Sequence, residues 1–284
     1  MKFLKLLSKC SPKYLFIIWV LLYSPVLFSQ QESKLPQTDF NRLYLDLNKA
    51  TDDHKIFVEQ IAPFIKEESV EFHIPKIVPG TYVINNFGRF ISDLKAVDIV
   101  GNELNVQQLD TNRWKITNAM NLYKVTFWVE DTYHSNKKPV VFEPTGSCIE
   151  RNKVFVLNNY CFFGYFLGYR DLPYELNVAK LPGFYGATSL TRSFTDELKD
   201  VYNAGSYFEL HDNPILYTIP DTATVMVNNA KVLLSIYSPN NVIDASYMVS
   251  HTKELFEAQG KYLGGDLPTE RYSILVYLFK GASK

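Results

Sequence analysis

The sequence lacks the short motifs that mark common hydrolytic and cofactor-binding sites. None of its five histidines is followed by glutamate, so the helical zinc-binding motif H-E-x-x-H is absent. A G-x-S-x-G elbow, a glycine-rich phosphate loop and a paired-cysteine motif are absent as well. We therefore expect this chain to contain no catalytic residue, no metal ligand and no cofactor-binding residue, and to hold no cofactor.

Cysteine is scarce, with three residues in a chain of 284. Cys10 precedes the apolar run near the N-terminus, whereas a lipid-modified cysteine would follow such a run, so the pattern does not indicate a lipoprotein. Cys148 and Cys161 remain, and their spacing does not supply the Cα separation that a disulfide requires. A disulfide between them and a pair of buried free thiols therefore both stay open.

Neither sign of charge is in large excess. The chain carries 29 Lys and Arg against 30 Asp and Glu, and four of the lysines lie within the first 29 residues. Without that segment 25 basic and 30 acidic side chains remain, which is a net charge of −5. Nucleic acids and anionic lipids attract proteins with the opposite balance, so we expect neither as a partner.

The first 29 residues have the pattern of a signal peptide. Four lysines precede or flank the start of an apolar run from Tyr14 to Phe28, and Ser29 supplies a small residue for cleavage. A membrane-spanning helix needs roughly 20 apolar residues, which is more than this run offers. We expect residues 1–29 to be a signal peptide, the protein to be exported to the periplasm or the extracellular space, and no stable membrane span to remain after cleavage.

Aromatic residues are abundant and indicate a mainly β protein. Twenty Phe and 19 Tyr stand beside only 13 Gly, and aromatic side chains suit the pleated, half-buried surface of a sheet. Leu43, Leu45 and Leu47 recur at every second position, which is the period of a strand. Gly101-Asn102 has the composition of a two-residue hairpin turn. Further strands are predicted at Ile56–Ile61, Val70–Ile74, Leu94–Val100, Glu103–Gln107, Arg113–Thr117, Tyr123–Glu130 and Tyr174–Ala179.

The pattern changes after Asn213. Strands are predicted at Ile215–Ile219, Thr224–Val227, Val232–Tyr237 and Ser273–Phe279, with Asn228-Asn229 as a turn. A largely apolar stripe at three- and four-residue steps predicts one long helix, through Val242, Ala245, Val249, Thr252, Phe256, Gln259 and Leu263. We expect Asn241 to be its N-cap, Asp244 to lie in its first turn and Gly264-Gly265 to follow its end.

These patterns predict an N-terminal antiparallel β-sandwich-like domain at residues 30–212, followed by an α/β segment at residues 213–284. The second segment is too short to enclose its own core. The last predicted strand is expected to have a poorly covered apolar face around Ile274, Val276 and Leu278.

Three local features have both a functional and a structural interpretation. His211-Asp212 precedes Asn213-Pro214, and we interpret it as part of a turn rather than as a catalytic pair. We interpret His73 as a packed or edge histidine of a strand rather than as a ligand. The aromatic stretch NNYCFFGYFLGYR, at residues 158–170, is either a stacking platform for sugar or peptide or a segment whose rings fill the core. We favour the core, because six exposed rings would promote aggregation.

Three motifs follow one another along the chain. A Pro-Gly-Thr-Tyr turn at residues 79–82 leads into a segment that contains Phe87, Arg89, Ile91 and Leu94. An Asp-x-Pro-Ile step stands at residues 212–215, and a Leu-Pro-x-x-Arg-Tyr turn at residues 267–272 precedes the last predicted strand. In order and spacing the chain resembles the front half of the glycyl aminopeptidase family of zinc metallopeptidases, peptidase family M61. The resemblance spans roughly Leu43 to Phe279.

The resemblance implies what else a full-length member contains. In that family the last strand runs into a Gly-rich segment that ends in Gly-Leu-Glu-His, followed by a zinc helix with H-E-x-x-H, a downstream Glu ligand and usually a PDZ domain. It therefore implies zinc and peptide substrates for the full-length family, and the start of a thermolysin-like domain at residues 213–284. No position here matches a zinc ligand or the general base, so the resemblance implies that this chain alone is inactive.

We retain three hypotheses. The first is the N-terminal, non-catalytic portion of an exported zinc aminopeptidase-like hydrolase, truncated before its zinc-binding half and missing a C-terminal catalytic and PDZ portion. The alternative is a secreted β-sandwich module that binds peptide or glycan. The third is an enzyme with an unrecognised site on the β domain, for which no carboxylate pair or histidine constellation is suggestive in the sequence.

Overall fold

A computed structural model describes residues 39–279, and the predicted signal peptide at residues 1–29 lies outside that range. The described residues are mainly β, as predicted, and most neighbouring strands are antiparallel. Within this range no helix combines the length and the apolar character needed to cross a membrane.

The strands are distributed along the whole described chain. In chain order they are β1 (Asn41–Asp46), β2 (Lys55–Ile61), β3 (Ser69–His73), β4 (Ile91–Val97), β5 (Glu103–Leu104), β6 (Val106–Asp110), β7 (Arg113–Thr117), β8 (Lys124–Glu130), β9 (Cys148–Glu150), β10 (Val154–Leu157), β11 (Tyr165–Phe166), β12 (Tyr174–Ala179), β13 (Tyr185–Ala187), β14 (Thr191–Thr195), β15 (Lys199–Ala204), β16 (Ile215–Thr218), β17 (Thr222–Val227), β18 (Ala230–Tyr237) and β19 (Arg271–Tyr277).

Three α-helices are described: α1 (Asn159–Phe162), α2 (Tyr207–Asp212) and α3 (Ala245–Tyr262). Short 3₁₀ turns lie at Leu47–Lys49, Phe87–Phe90, Ala119–Asn121 and Glu143–Thr145.

The described strands form four sheets. The largest has the spatial order β14-β15-β12-β1-β2-β8-β4-β5. Two four-stranded sheets have the orders β13-β16-β10-β9 and β11-β3-β7-β6, and a three-stranded sheet has the order β17-β18-β19. The pairs β1–β12 and β18–β19 are parallel.

Alternating hydrophobicity determines which face of the large sheet is buried. Leu43, Leu45 and Leu47 are each at most 2% exposed, as their period-two spacing predicts. Strands β2 and β8 alternate buried and half-buried residues along their whole length. The ring of Phe127 on β8 lies 5.8 Å from the ring of Phe72 on β3, so the large sheet packs its buried face against the sheet that contains β3. This pairing of faces is the predicted sandwich-like arrangement.

One predicted hairpin has a different loop. Strand β4 ends at Val97 rather than at Val100, and an interruption at Asn105 separates β5 from β6. The carboxylate of Asp98 accepts hydrogen bonds from the backbone N–H of Val100 at 3.0 Å and of Asn102 at 2.8 Å. These bonds stabilise a five-residue loop over residues 98–102, so the predicted two-residue turn at Gly101-Asn102 is wrong.

The long helix is present, but it begins later than predicted. The carboxylate of Asp244 accepts a hydrogen bond from the backbone N–H of Tyr247 at 2.7 Å, so Asp244 is the N-cap and Asn241 is not. Val242 therefore lies before the helix and is exposed. The predicted end is confirmed, because Gly264 and Gly265 follow the last turn with positive φ angles.

Two separate apolar clusters lie in the described range. The larger runs from Leu43 to Tyr217 and includes most rings of the aromatic stretch at residues 158–170. Tyr160, Phe162, Phe163 and Phe166 are buried and Tyr165 and Tyr169 are half-buried, so the stretch is not an exposed stacking platform. Cys148 and Cys161 are free and buried, and burial raises the pKa of both thiols.

The smaller cluster joins β17 and β18 to α3 and β19. Its buried members are Val225, Val227, Val232 and Leu234. The predicted turn at Asn228-Asn229 is confirmed, since Val227 pairs with Ala230 across it. On β19 the side chains of Ile274 and Val276 are half-buried. The predicted division of the chain between residues 212 and 213 stays a prediction; β16, which follows it, pairs with β10 and β13.

A buried charge network connects the large sheet to the sheet that contains β16. The ammonium of Lys180 donates to Asp200 Oδ1 at 2.9 Å, and the hydroxyl of Tyr217 donates to Asp200 Oδ2 at 3.0 Å. Gly186 lies beside these groups, and a Cβ added there would lie 2.3 Å from the Tyr202 hydroxyl oxygen. The two sheets therefore approach each other at a point that has no space for a methyl group.

Burial acts to raise the pKa of the Asp200 carboxyl, but hydrogen bonds from Thr195 and Lys180 and the charge of Arg192 outweigh it. The net result is a pKa below the ordinary value. The ionised carboxylate therefore stabilises the folded state at neutral pH, because the folded protein binds the proton less tightly than the unfolded chain does.

We predict that Asp200→Asn lowers the free energy of unfolding by about 3 kcal/mol at pH 7, because Lys180 loses its counter-charge in a buried site. The difference should shrink as pH falls below the unfolded pKa of about 4. Urea unfolding monitored by circular dichroism at several pH values measures both effects. Asp171→Asn is the matched control, because the Asp171 side chain is 90% exposed. Equal stability of the two variants at pH 7 would contradict the prediction.

Candidate functional site

Three adjoining cavities form the candidate site. The acidic cavity, around Glu143, has a volume of about 620 Å³; the middle cavity, around Thr81, about 270 Å³; and the basic cavity, around Arg170, about 610 Å³. Residues shared between their walls place the middle cavity between the other two. These shared residues are Asn158 and Pro214 toward the acidic cavity, and Val78, Pro79 and His211 toward the basic cavity.

The acidic cavity lies between the larger β body and the terminal strand β19. Tyr133 and the 3₁₀ turn at Glu143–Thr145 line one side, and Leu275 and Tyr277 line the other. The other lining side chains are apolar or uncharged, which leaves Glu143 as the acidic residue of this wall. Among the described residues Glu143 forms no ion pair, so its carboxylate is available to a ligand with a positive charge.

The turn that carries Glu143 is fixed by hydrogen bonds to its backbone. The hydroxyl of Tyr133 donates to the backbone oxygen of Glu143 at 2.8 Å. The side-chain amide of Asn158 donates to the backbone oxygens of Gly146 at 2.6 Å and Pro144 at 3.3 Å. The carboxylate of Glu143 therefore projects from a braced turn rather than from a free loop.

Tyr277 connects β19 to β9 on the other side of this cavity. Its hydroxyl donates to Glu150 Oε1 at 2.8 Å, and its ring lies 5.6 Å from the ring of Tyr133. Burial raises the pKa of Tyr277, with the Cys148 and Glu150 side chains adding to the shift. Tyr277 is therefore a neutral hydrogen-bond donor at physiological pH.

The basic cavity is lined by Lys76, Arg113 and Arg170 together with His73 and His211. No acidic residue is among its lining side chains. The rings of Tyr165 and Tyr207 form part of the wall and lie 4.9 Å apart. Its charge is thus opposite to that of the acidic cavity.

His211-Asp212 is part of this site rather than of a simple turn. The pair forms the end of α2, with Asn213 as the C-cap, so the predicted turn is wrong at this point. His211 packs against the rings of Tyr207 and Phe208, and burial lowers its pKa. It is therefore neutral at physiological pH. Asp212 lines the middle cavity and does not contact the imidazole of His211 by a hydrogen bond among the described contacts.

His73 lies at the end of β3, as predicted for a strand histidine. It is half-buried, and its Nε2 is 2.8 Å from Glu71 Oε2. The structure also places it in the wall of the basic cavity, which its position in the sequence did not indicate.

One cluster of possible metal ligands was not predicted. His54, Asp131 and His134 offer ligand atoms within 4.8 Å of one another. His134 Nδ1 is 2.7 Å from Asp131 Oδ2, which also accepts the backbone N–H of Ile149 at 2.7 Å. His54 Nδ1 is 2.8 Å from the backbone oxygen of Ile149. The three side chains thus tie the turn before β2, the end of β8 and strand β9 together.

This cluster does not fit a hydrolytic zinc ion. Both Nδ1 atoms and Asp131 Oδ2 form protein hydrogen bonds, which leaves the two Nε2 atoms as the ligand atoms that the histidines could offer. The two imidazole rings are stacked at 3.7 Å with planes only 7° apart, so their in-plane lone pairs run parallel and do not converge on one ion. A catalytic zinc site needs three converging ligands and an open position for water. The cluster is better explained as a structural one.

The cluster of His54, Asp131 and His134 was difficult to recognise from the sequence. Asp131 and His134 are three positions apart, but His54 comes 77 positions before Asp131 in the chain. Burial raises the pKa of Asp131, although hydrogen bonds from His134 and Ile149 oppose the shift.

We predict that Asp131→Ala lowers the free energy of unfolding by about 3 kcal/mol at pH 7. The substitution leaves the backbone N–H groups of His134 and Ile149 without an acceptor, and a buried donor such as that of Ile149 is costly to leave unpaired. Urea unfolding measures the change, and Asp171→Ala is the exposed control. A deficit equal to that of the control would show that the cluster does not stabilise the fold.

One family model matches the larger part of the chain. The sequence profile of the Peptidase M61 N-terminal domain matches residues 43–219. A search of curated proteins finds no match. The crystal structure of an aminopeptidase N family protein from Idiomarina loihiensis is similar, with a TM-score of 0.72 and 21% sequence identity, over 84% of this chain and 39% of that chain.

A crystal structure of an M1 zinc metallopeptidase from Deinococcus radiodurans, a mutant bound to a Tyr-Ser-Ala substrate, has a TM-score of 0.44 and 10% identity, over 83% of this chain and 55% of that chain. The chain thus spans about two fifths of the length of the Idiomarina loihiensis protein. At these identities the structural likeness concerns the fold.

Proposed function

The chain belongs to peptidase family M61 through its N-terminal domain, and from this premise we propose that it forms the non-catalytic wall of the peptide cleft in an exported zinc aminopeptidase-like protein. The substrates would be peptides with a free amino terminus. The zinc ligands and the general base of the family would come from sequence that this chain does not contain.

The acidic cavity is the observation that supports this proposal. A peptide substrate of an aminopeptidase presents a protonated α-amino group and an apolar or small first side chain. The braced carboxylate of Glu143 offers a counter-charge to the first, and Leu275 and Val276 offer apolar contact to the second. We infer that Glu143 binds the peptide amino terminus.

The described residues offer one candidate set of metal ligands for hydrolysis. A catalytic zinc ion is held by three protein ligands and activates a water molecule. The single cluster of three candidate ligands found between residues 39 and 279 is the stacked pair with Asp131, which does not fit. We therefore propose that this chain contributes binding surface alone. The alternative, a secreted β-sandwich module that binds peptide or glycan, loses the support of an exposed aromatic platform, because most rings of the aromatic stretch are buried.

We predict that the purified chain binds tri-alanine but not N-acetyl tri-alanine, and that Glu143→Gln weakens binding of the free amine about tenfold, as loss of one charged contact does. NMR titration of the ¹⁵N-labelled protein measures both affinities. Glu197→Gln, on an exposed loop, is the matched control. Equal binding of the acetylated and free peptides would rule out the role of Glu143.

The same preparation should not hydrolyse alanyl or glycyl aminomethylcoumarin, with or without added zinc. Hydrolysis that survives a chelator would instead support an unrecognised site on the β body. Hydrolysis that requires zinc would place the zinc ligands within this chain and would contradict the proposal.

We further propose that residues 1–29 direct export and are removed. Expression of the full sequence in a bacterial host, followed by N-terminal sequencing of the product, should give a chain that begins at Gln30. A product that retains Met1 in the cytoplasmic fraction would contradict this proposal.

A further inference from the structure

We propose that the basic cavity binds a carboxylate of the same peptide whose amino terminus lies in the acidic cavity, so that the preferred ligands are short peptides with a negative charge at a set distance from the amino group. This inference rests on the proposed function, and it adds a second anchoring point and a substrate class. Arg170 and Lys76 are the residues assigned to the carboxylate.

The charge of the cavity wall is the first observation. Three cationic side chains and two histidines face this space of about 610 Å³, and its lining contains no carboxylate. A concave wall with charges of one sign raises the local concentration of an oppositely charged ligand. An anionic group is therefore the ligand that this wall favours.

The carboxylates of Asp110 and Glu71, which pair with these cations, are not among the residues that line the basic cavity, and Asp212 lines the adjoining middle cavity. Asp110 Oδ2 is 2.8 Å from Arg113 Nε and 3.7 Å from Lys76 Nζ, and Glu71 Oε2 is 3.6 Å from Arg113 Nη1. The backbone N–H of Asn112 and the guanidinium of Arg113 lower the pKa of Asp110 to about 2, so this carboxylate stays ionised. The guanidinium of Arg113 already pairs with these two carboxylates. We therefore do not assign Arg113 to the ligand.

Arg170 and Lys76 are more available than Arg113 to pair with a carboxylate of a ligand. Arg170 Nε is 3.7 Å from Asp171 Oδ1, and the two side chains are 66% and 90% exposed, which is the setting of a weak surface pair. The ion pair of Lys76 with Asp110 has the same length. Arginine donates two parallel hydrogen bonds to one carboxylate, and a lysine beside it adds a point charge.

The rest of the wall suits the residue that carries such a carboxylate. The rings of Tyr165 and Tyr207 and the side chains of Ile74, Ile77 and Val78 provide an apolar surface. The hydroxyl of Tyr207 is committed to the backbone oxygen of Phe163 at 2.8 Å, which fixes this ring in place. The last residue of a peptide has a carboxylate and a side chain next to it. When that side chain is apolar, both groups match this wall.

The arrangement of the three cavities gives the peptide a direction. The acidic and basic cavities share no lining residue with each other, and each of them shares lining residues with the middle cavity. A short peptide is itself positive at one end and negative at the other. Its amino group would lie at Glu143 and its carboxylate at Arg170, and the reverse orientation would place like charges together.

NMR titration with alanine peptides of two to six residues tests the proposal, each as the free acid and as the C-terminal amide. We expect one length to bind best, the acid of that length to bind roughly tenfold more tightly than its amide, and Arg170→Ala to remove this difference between acid and amide. Arg151→Ala is the matched control, because Arg151 is a surface arginine outside the cavity. Lys76→Ala provides a second variant with the same expected direction.

The backbone N–H of Tyr207 donates a hydrogen bond to the backbone oxygen of Arg170. This hydrogen bond does not involve the Arg170 side chain, so Arg170→Ala retains it. A peptide amide that ends in aspartate distinguishes the source of the carboxylate. If it binds as tightly as the acid and loses affinity in Arg170→Ala, the cavity accepts an acidic side chain as well as a terminal carboxylate, which supports the proposal.

Equal binding of acids and amides by the wild-type protein, with no effect of Arg170→Ala, would overturn the inference and leave the role of Glu143 intact. If no peptide bound at all, the proposed function would fail and this inference would fail with it.

Discussion

The candidate site depends on the contact between the terminal strand and the larger β body. The two apolar clusters are separate, and the contact between these parts consists of polar bonds together with the packing of the Tyr277 ring against Tyr133. Tyr277 donates to Glu150 at 2.8 Å, Arg271 donates to Thr191 at 2.6 Å, and the hydroxyls of Ser189 and Ser273 are 2.9 Å apart. Because β19 supplies one wall of the acidic cavity, these contacts hold that wall beside the turn that carries Glu143.

Period-two alternation and turn chemistry account for the parts of the fold that were predicted. The strands Arg113–Thr117 and Tyr174–Ala179 agree with the structure residue for residue, because their buried positions alternate or run continuously between clear turn signals. Strands β9, β10 and β13 to β15 were not predicted. Those of three or four residues are too short to show a period, and β14 is mostly exposed, so its sequence carries no apolar pattern.

The candidate site was harder to predict from the sequence than the strands were. Glu143, in a 3₁₀ turn, and Arg170, in a loop, are ordinary charged residues, and their significance comes from lining two cavities that both adjoin the middle cavity. His54 and Asp131 are brought together by the pairing of β2 with β8, in which Lys55 stands opposite Glu130. The family resemblance and the aromatic stretch both suggested a peptide ligand, but the rings of that stretch are mostly buried, and the resemblance did not indicate which residues of this chain would contact a peptide.

The close approach of two sheets at Gly186 has a consequence for sequence variation. An alanine there would push apart the tyrosine hydroxyls at positions 202 and 217, which lie 3.0 Å from each other and share the carboxylate of Asp200. Gly186 and Asp200 are therefore expected to vary together among relatives. A relative that has another residue in place of one of them should also have another residue in place of the other. Such covariation would identify which relatives keep the buried network without solving their structures.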